Sequence, residues 1–344
     1  MRAVALTGIR KSAVVEVAEP RIEKPDDVLV GIRHVGICGS DVHYYTTGRI
    51  GTQVATFPWI VGHEAVGVVE AVGPAVTRVK QGDPVAVEPA VSCNHCDQCR
   101  AGRQNTCRHI KFISVPTQLP GALQERIVMP QENCFVLKDA AALPDAAIGE
   151  PLSIAVYSIR RGPSPEGKTI AILGAGPIGL CVLLALKAGR PGPIYITDKI
   201  DGRLEVASHL ADVTTANPRT TDAVGAFLAA EPLGFDIVYE CCGRQEALDQ
   251  SLLLLKPGGT LVIVGIPEVD RISFDPSPFR QKDLTIAYVR RQNHCLQPAL
   301  DLLESGQVDP TPLITHRLPL DQTPKAFDMV ADYSDGVIKA MIDF

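Results

Sequence analysis

A glycine-rich turn between an apolar run and a helical pattern constrains this chain more than any other segment. The run IAILGAGPIG, residues 170–179, has the GxGxxG pattern, which allows a tight turn, close approach to a pyrophosphate and close helix–strand packing. Asp198 lies 24 residues after Gly174, about where a carboxylate accepts the ribose hydroxyls of a dinucleotide. The segment therefore predicts a dinucleotide site rather than a packing turn, with these contact residues: Gly174, Gly176, Pro177, Ile178, Gly179 and Asp198.

Apolar runs and helical patterns alternate around this turn, from about residue 153 to residue 289. The predicted strands are 169–173, 194–197, 235–240 and 260–264, and the predicted helices are 178–188, 203–210 and 245–255. Such alternation indicates a parallel sheet that helices cover on both faces. The uncharged segment 169–186 is about long enough to span a bilayer. Because glycines and Pro177 interrupt it, we predict a buried strand and a buried helix instead.

The flanking segments predict a different architecture. Short strands separated by glycine and proline, for example 27–34 and 65–72, indicate an irregular, mostly β region up to about residue 148. Beyond residue 289 we predict one helix at 296–305 and one strand at 337–342, and this segment is a candidate to return to the first domain. Because 344 residues exceed one ordinary core, two domains are expected.

Composition and charge exclude several classes of protein. Hydrophobic residues make up 46% and charged residues 21% of the chain, which indicates a globular protein rather than a disordered one. The net charge, 33 minus 39 or −6, and the lack of a basic stripe argue against a nucleic-acid partner. The N-terminus lacks the apolar core of a signal peptide. The ten cysteines therefore predict a reducing, cytoplasmic compartment, where clustered thiols bind metal or react more often than they form disulfides.

Four cysteines are clustered in the polar loop CNHCDQCRAGRQNTC. They are Cys93, Cys96, Cys99 and Cys107, at successive separations of three, three and eight residues. Four thiolates at this spacing can close a tetrahedral shell around zinc and leave no position open for substrate, so we predict a structural zinc site. An iron–sulfur cluster is the main alternative, and four unrelated surface cysteines are the other.

A second set of candidate ligands is spread along the chain. Cys38 lies in GICGSDVH, His63 and Glu64 lie in VGHEAVGVV, and Glu150 lies in GEPLS. Thiolate, imidazole and carboxylate are all zinc ligands, and a site with three protein groups leaves one position for water or substrate. Taken alone, each residue has an ordinary explanation. Cys38 could be a small buried thiol, His63 a satisfied polar residue, and Glu64 or Glu150 a solvated acid.

Together these motifs resemble those of the zinc-dependent medium-chain dehydrogenases, and among them the sorbitol and xylitol dehydrogenases. The match runs from end to end and rests on GICGSDVHYY, GRIG, GHEAVGVVEAVG, the four-cysteine loop, EPLS, GAGPIG, residues 198–203 and THRLPL. It implies an α/β protein with a GroES-like, mostly β catalytic domain, 1–152 completed by 290–344. A Rossmann coenzyme domain, 153–289, would follow, with the active site in the cleft between the two domains.

The resemblance also implies a catalytic metal site. Cys38 and His63 would hold a zinc ion, and Glu64 or Glu150 would complete its shell, one directly and the other through water. A cysteine stands at the position of Glu150 in other alcohol dehydrogenases, and the carboxylate is typical of polyol enzymes. Its effect is a harder and more polar metal site.

Further roles follow from the same resemblance. Ser40 would accept the proton of the substrate hydroxyl and pass it through the nicotinamide ribose to His43, which exchanges it with water. Arg203 matches a ribose-binding base. The residues that match the lining of the substrate cleft are Tyr44, Phe112, Arg290 and Asn293.

The implied function is transfer of a hydride from a secondary alcohol of a polyol to NAD, which yields the ketose. The resemblance implies a tetramer, the usual assembly of such enzymes, and we expect the edge strand 284–288 to pair across a two-fold axis in a homotetramer or homodimer. One alternative is an L-threonine or other secondary-alcohol dehydrogenase, although such enzymes tend to have threonine at the position of Ser40 and lack the YY and GRIG patterns. The other is a nucleotide-binding sensor without activity, against which the intact Cys38 and His63 argue.

Overall fold

The computed structural model describes residues 1–344 and falls into two units. Unit 1 comprises Met1–Glu150, Ala299–Glu304 and Ile314–Phe344, and unit 2 comprises Pro151–Pro298 and Ser305–Leu313. Residues 290–298 and 305–313, which the predicted bounds assign to the catalytic domain, group with unit 2. No helix is long and apolar enough to cross a membrane.

Twenty strands are numbered here along the chain. They are β1 (Arg2–Gly8), β2 (Lys11–Glu16), β3 (Asp27–Gly36), β4 (Arg49–Ile50), β5 (Gln53–Val54), β6 (Trp59–Ile60), β7 (Glu64–Val72), β8 (Pro84–Val87), β9 (Ala90–Val91), β10 (Lys111–Phe112), β11 (Arg126–Pro130), β12 (Cys134–Val136), β13 (Ile170–Leu173), β14 (Ile194–Thr197), β15 (Thr214–Ala216), β16 (Phe235–Glu240), β17 (Leu255–Ile263), β18 (Thr285–Tyr288), β19 (Ile314–Pro319) and β20 (Lys339–Asp343).

Eleven α-helices are numbered in the same way. They are α1 (Gly39–Thr47), α2 (Asp97–Arg100), α3 (Leu143–Ala146), α4 (Gly149–Arg161), α5 (Pro177–Lys187), α6 (Asp201–Leu210), α7 (Ala223–Ala230), α8 (Gln245–Leu254), α9 (Pro276–Lys282), α10 (Leu296–Glu304) and α11 (Thr323–Asp332). Short 3-10 helices span Gln104–Thr106, Gln131–Asn133, Ala140–Ala142, Thr311–Leu313 and Leu320–Gln322.

A seven-stranded sheet lies at the centre of unit 1. Its order is β12-β8-β7-β3-β20-β19, and β11 also pairs with β3. The apolar side chains of β3, including Val30, Ile32 and Val35, are buried in the core of this unit. β20 pairs antiparallel with β3, so the C-terminal strand returns to the first part of the chain. Both ends of the sequence thus contribute to one sheet, which matters for the candidate metal site.

A six-stranded parallel sheet lies at the centre of unit 2. Its order is β15-β14-β13-β16-β17-β18, so counting from β13 the order is 3-2-1-4-5-6. This is the order of the dinucleotide-binding Rossmann fold, whose ligand crevice opens at the carboxyl ends of the first and fourth strands. All four residues of β13 are buried, and residues Gly179–Leu186 of α5 are buried too. The uncharged segment is therefore a buried strand and helix, and the predicted α/β class is confirmed.

The structure differs from the prediction mainly in the short elements of unit 2. β15 and α7 were not predicted. β17 begins at Leu255 rather than at residue 260, although it contains Pro257, Gly258 and Gly259. Its register with β16 jumps, from Phe235 opposite Leu255 to Ile237 opposite Thr260. These residues lie inside the strand, at an irregularity in its pairing with β16, rather than in a turn before it.

Candidate active site and metal centres

The four cysteines of the polar loop meet in one cluster. The Sγ atoms of Cys93, Cys96, Cys99 and Cys107 all lie within 4.8 Å of one another. Backbone N–H groups of Cys93 and His109 donate to the Cys107 sulfur, over 3.3 and 3.4 Å. Further backbone donors, from Cys99 and Arg108, lower the pKa of the Cys96 thiol to about 6. An all-sulfur set, with N–H donors to the sulfurs of Cys96 and Cys107, has the donor chemistry of a structural zinc site.

The register between β3 and β7 brings together three of the candidate ligands that are spread along the sequence. β3 pairs with β7 so that Gly36 faces Glu64. Cys38 follows β3 by two residues and His63 precedes β7 by one, so both lie at the same end of the strand pair. The ligand atoms of Cys38, His63 and Glu64 lie within 4.8 Å of one another, and His63 and Glu64 are buried. A Cβ atom at Gly36 would stand 2.1 Å from Oε2 of Glu64, so a larger residue here would displace this carboxylate.

Asp41, which the sequence analysis missed, connects two of these ligands. Its Oδ2 accepts from the backbone N–H of Cys38 over 3.3 Å, and its Oδ1 lies 3.4 Å from Nδ1 of His63. Oδ1 also accepts from the backbone N–H of Gly62 and from the hydroxyl of Ser114, over 3.2 and 2.6 Å. Asp41 is the third residue of α1, a capping position that could have identified it from sequence.

The electrostatics of this network favour a cation. Burial raises the pKa of the Asp41 carboxyl, but His63, Ser114 and the Gly62 N–H outweigh burial and hold it below the usual value. Burial lowers the pKa of His63, but the neighbouring Asp41 and Cys38 side chains raise it well above its usual value. A buried imidazole beside a thiol and a carboxylate has the donor types of a divalent-metal site.

Lys339 is the second residue that the sequence analysis missed. Its Nζ lies 2.7 and 2.8 Å from the two oxygens of Glu64 and also donates to the carbonyl of Ile37 over 3.2 Å. Lys339 and Glu64 are both fully buried, so each charge compensates the other. Lys339 comes from β20, 275 residues beyond Glu64, and no local pattern marks it.

Glu150 does not join the three clustered ligands. It lies in the first turn of α4 with a buried side chain, and the metal-ligand group holds Cys38, His63 and Glu64 without it. Of the two carboxylates left open by the sequence, Glu64 is therefore the one positioned with the cysteine and the histidine.

The other predicted residues of unit 1 lie close to this group along the chain or in space. Ser40 and His43 are in α1, both half-buried, and are three residues apart on one face of the helix. The Tyr44 hydroxyl donates to Oε1 of Gln53 over 3.2 Å. The ring of Phe112 packs against the ring of His63, with 5.4 Å between centroids.

The glycine turn in unit 2 has the geometry that its pattern predicts. Gly174 has φ +104°, and a Cβ atom at Gly179 would stand 1.8 Å from the carbonyl oxygen of Gly174, so both positions require glycine. Asp198 at the end of β14 accepts from the backbone N–H of Ala175 over 2.8 Å. Nη1 of Arg203 lies 3.9 Å from the same carboxylate. The acid and the turn thus form one compact site at the carboxyl edge of the sheet.

Arg290 and Asn293, predicted from the resemblance, follow β18 in unit 2. The side chain of Arg290 is exposed and that of Asn293 is half-buried. Tyr44 and Phe112 belong to unit 1. The substrate role of all four stays a prediction.

A Rossmann sheet with its glycine turn, together with a thiolate, imidazole and carboxylate cluster, defines the class of zinc-dependent nicotinamide dehydrogenases. Residues 24–139 match the alcohol dehydrogenase GroES-like domain, and residues 177–305 match the zinc-binding dehydrogenase domain. The chain belongs to the zinc-binding alcohol dehydrogenase family. It is a dehydrogenase that uses zinc and a nicotinamide coenzyme.

Individual relatives agree with this assignment. A sorbitol dehydrogenase of Bacillus subtilis is 35% identical over 99% of this chain and 97% of its own length. A short chain alcohol dehydrogenase of Escherichia coli, solved with NADH, has a TM-score of 0.91 at 27% identity, over 100% of this chain and 99% of that one. A protein of Sinorhizobium meliloti bound to NADP has a TM-score of 0.90 at 28% identity, with the same coverage. The solved structures that share the fold of this chain therefore include one with NADH and one with NADP.

Proposed function

We propose that this chain oxidises a secondary alcohol of a polyol such as sorbitol or xylitol to the ketose, with NAD as hydride acceptor. The observation that carries the proposal is the cluster of half-buried Cys38 with buried His63 and Glu64, which supplies three protein ligands of the kind found in catalytic zinc sites. A mixed set with a carboxylate is harder than a thiolate-rich set, and so is better matched to a substrate that offers several hydroxyl oxygens.

Each chain is proposed to hold two zinc ions. Cys93, Cys96, Cys99 and Cys107 would hold a structural ion, and the second cluster, with Glu150 in a supporting position, would hold the catalytic one. When bound at the catalytic position, zinc supplies Lewis acidity that lowers the pKa of a substrate hydroxyl. Asp41 and Lys339 hold the protein groups in place, since Asp41 contacts Cys38 and His63 and Lys339 contacts Glu64.

Two residues of α1 are proposed to remove the substrate proton. The Ser40 hydroxyl would accept the proton of the reacting hydroxyl at Oγ while it passes its own proton on towards His43, whose imidazole exchanges a proton with water near neutral pH. Their spacing on one helix face supports a relay, because residues three apart are neighbours on a helix surface.

Polyol preference is the first test of the proposed substrate class. Glu150 and Arg290 carry charged groups that can hydrogen-bond to the hydroxyls of a polyol, whereas a simple alcohol offers them no second hydroxyl. We expect kcat/KM for sorbitol or xylitol to exceed that for 2-hexanol by tens to hundreds-fold, roughly 2 to 3 kcal/mol, because water substitutes for some missing hydroxyls. The measurement is steady-state NADH formation with sorbitol, xylitol, L-threonine and 2-hexanol.

A matched pair of variants sharpens this test. Arg290→Ala should lower the polyol rates, whereas Arg190→Ala, an exposed arginine before β14, should leave them unchanged. If L-threonine or 2-hexanol is the best substrate, or if both arginine variants behave alike, the polyol proposal is wrong, although the zinc and coenzyme assignments could still stand.

NAD is the proposed coenzyme because of Asp198. Its carboxylate attracts ribose hydroxyls and repels the 2′-phosphate of NADP. Arg203 lies 3.9 Å from this carboxylate and is a cation that softens the preference. We expect kcat/KM to favour NAD by about 100-fold, on the scale of several kcal/mol for like charges in contact. Asp198→Ala should reduce the difference in kcat/KM between NAD and NADP, whereas the control variant Asp201→Ala on α6 should leave that difference unchanged. Equal kcat/KM of the wild-type enzyme with both coenzymes would refute the role of Asp198.

A homo-oligomer, either a homotetramer or a homodimer, is proposed from the edge of the parallel sheet. β18 is an edge strand, with Ile286 36% and Tyr288 49% exposed. An exposed apolar edge strand pairs readily with its own copy across a two-fold axis. Sedimentation velocity should show a species larger than a single 36.8 kDa chain, and a monomer at micromolar concentration would contradict this.

A further inference from the structure

Ser114 has a backbone conformation that its residue type disfavours. It lies two residues after β10 with φ +76°, in the left-handed region, and its side chain is 2% exposed. Glycine adopts this conformation without steric cost, whereas a residue with a Cβ atom does so at a penalty. A turn that needed only this backbone shape would therefore be expected to contain glycine. The side chain of Ser114 should therefore make a contact that offsets the steric cost of this positive φ.

The hydroxyl of Ser114 is bonded into the network behind the candidate catalytic metal. Its Oγ donates to Oδ1 of Asp41 over 2.6 Å, in a fully buried contact. The backbone N–H of Gly62, the residue before His63, donates to both Oγ of Ser114 and Oδ1 of Asp41, each over 3.2 Å. Ser114 thus contacts the carboxylate that faces Nδ1 of His63 and also the turn that delivers His63 to the site.

The backbone of Ser114 is held from both sides. The Trp59 indole N–H donates to the Ser114 carbonyl over 2.9 Å, and the Ser114 N–H donates to the carbonyl of Leu119 over 3.0 Å. These contacts over-determine the strained conformation, which is the condition under which such strain persists in a native structure. The hydroxyl is consequently fixed relative to Asp41 rather than free to rotate with its loop.

We infer that Ser114 is a positioning residue, whose hydroxyl orients Asp41 so that Asp41 orients His63 and the backbone of Cys38 for metal binding. The inference rests on the proposed catalytic zinc site. Partners beyond the ligands of a metal site fix ring orientation and charge, and their loss typically lowers metal affinity or activity by 10- to 100-fold. Because Ser114 acts through Asp41, one contact further out, we expect an effect of about 3- to 10-fold, at or below the low end of that range.

The test compares three variants by metal retention. Ser114→Ala removes the hydroxyl and keeps the strain, and Ser114→Gly removes the hydroxyl and relieves the strain. Thr117→Gly relieves similar strain in the same loop, at an exposed residue with φ +66°, and leaves Asp41 untouched. Zinc remaining per chain is measured after timed exposure to a chelator, with the zinc of the four-cysteine cluster as internal reference. We expect both Ser114 variants to lose catalytic zinc about 3- to 10-fold faster than wild type, and Thr117→Gly to match wild type.

A spectroscopic signature separates positioning from general stability. Cobalt(II) in place of zinc should give altered ligand-field bands in both Ser114 variants, even though Ser114→Gly should be at least as heat-stable as Ser114→Ala. Wild-type zinc retention and cobalt spectra in Ser114→Gly would overturn the inference, because the hydroxyl would then be dispensable. If the wild-type chain itself holds zinc only at the four cysteines, the proposed catalytic site fails instead, so the two failures are distinguishable.

Discussion

Replacement of His63 by alanine is expected to abolish turnover while the protein stays folded and keeps the zinc of its four-cysteine cluster. His63 is one of three clustered ligand groups and the only imidazole among them. Without it, Lewis-acid activation of the substrate is lost, and we expect kcat to fall by at least about 10³-fold, the factor that several kcal/mol implies. The measurement combines steady-state rates with zinc analysis. The zinc content should fall from two ions per chain to one.

An exposed histidine provides the control for this variant. His109→Ala removes an imidazole beside the four-cysteine loop and should leave turnover within two-fold of wild type, as expected for a surface substitution. Retention of two zinc ions and substantial turnover in His63→Ala would show that His63 is not a metal ligand. Unfolding of His63→Ala would be visible in its circular dichroism and would move the test to His63→Gln.

The opposite outcome is expected for Cys96→Ser, which should lower stability while the chemistry survives in the protein that remains folded. The buried core of this loop consists of the cysteines themselves, with Cys93 and Ile110 packed against it. Metal binding supplies the folding free energy of such a loop. We expect the midpoint of thermal unfolding to fall by about 5–10 °C, measured by differential scanning calorimetry.

A polar residue of the same loop is the matched control for Cys96→Ser. Ser92→Ala removes a hydroxyl that donates to Asn94, and should shift the midpoint by no more than about 2 °C. The two-zinc proposal would be contradicted by a native chain that holds a single zinc ion and keeps it after Cys96→Ser. It would equally fail if Cys96→Ser and His63→Ala gave the same loss of turnover with the same loss of stability.

The long periodic elements of unit 2 could be predicted from sequence because their signals are local. The predicted strands 194–197 and 235–240 coincide with β14 and β16, and the predicted helix 178–188 is shifted by one residue from α5. Short elements were missed where local chemistry contradicts the final structure. The Pro257–Gly259 run indicates a turn, and β17 includes it only because Leu255 before it and Thr260 after it both pair with β16.

In unit 1, local sequence signals also failed to predict the helix α1, which contains Ser40 and His43. GSDVHYYTT has no strong apolar periodicity, and contacts around Cys38 and Asp41 at its first turn contribute to the helix. Sequence alone did not place Ser40 and His43 on a common helix face. Their placement on a helix face beside Cys38 keeps the proton relay as a testable proposal.

The sequence by itself determined the Rossmann fold, the four-cysteine cluster and the identity of Cys38, His63 and Glu64 as candidate ligands. The first two are encoded over short stretches, where backbone geometry leaves few alternatives. The tertiary structure alone decided that Glu64 rather than Glu150 joins the cluster, because that depends on the register that sets Gly36 opposite Glu64. It also decided the roles of Lys339, 275 residues from its partner, and of Ser114, 73 residues from Asp41. The role of a buried charge or hydroxyl depends on the groups that it contacts. Contacts between residues so far apart in the sequence exist only once the sheet has formed.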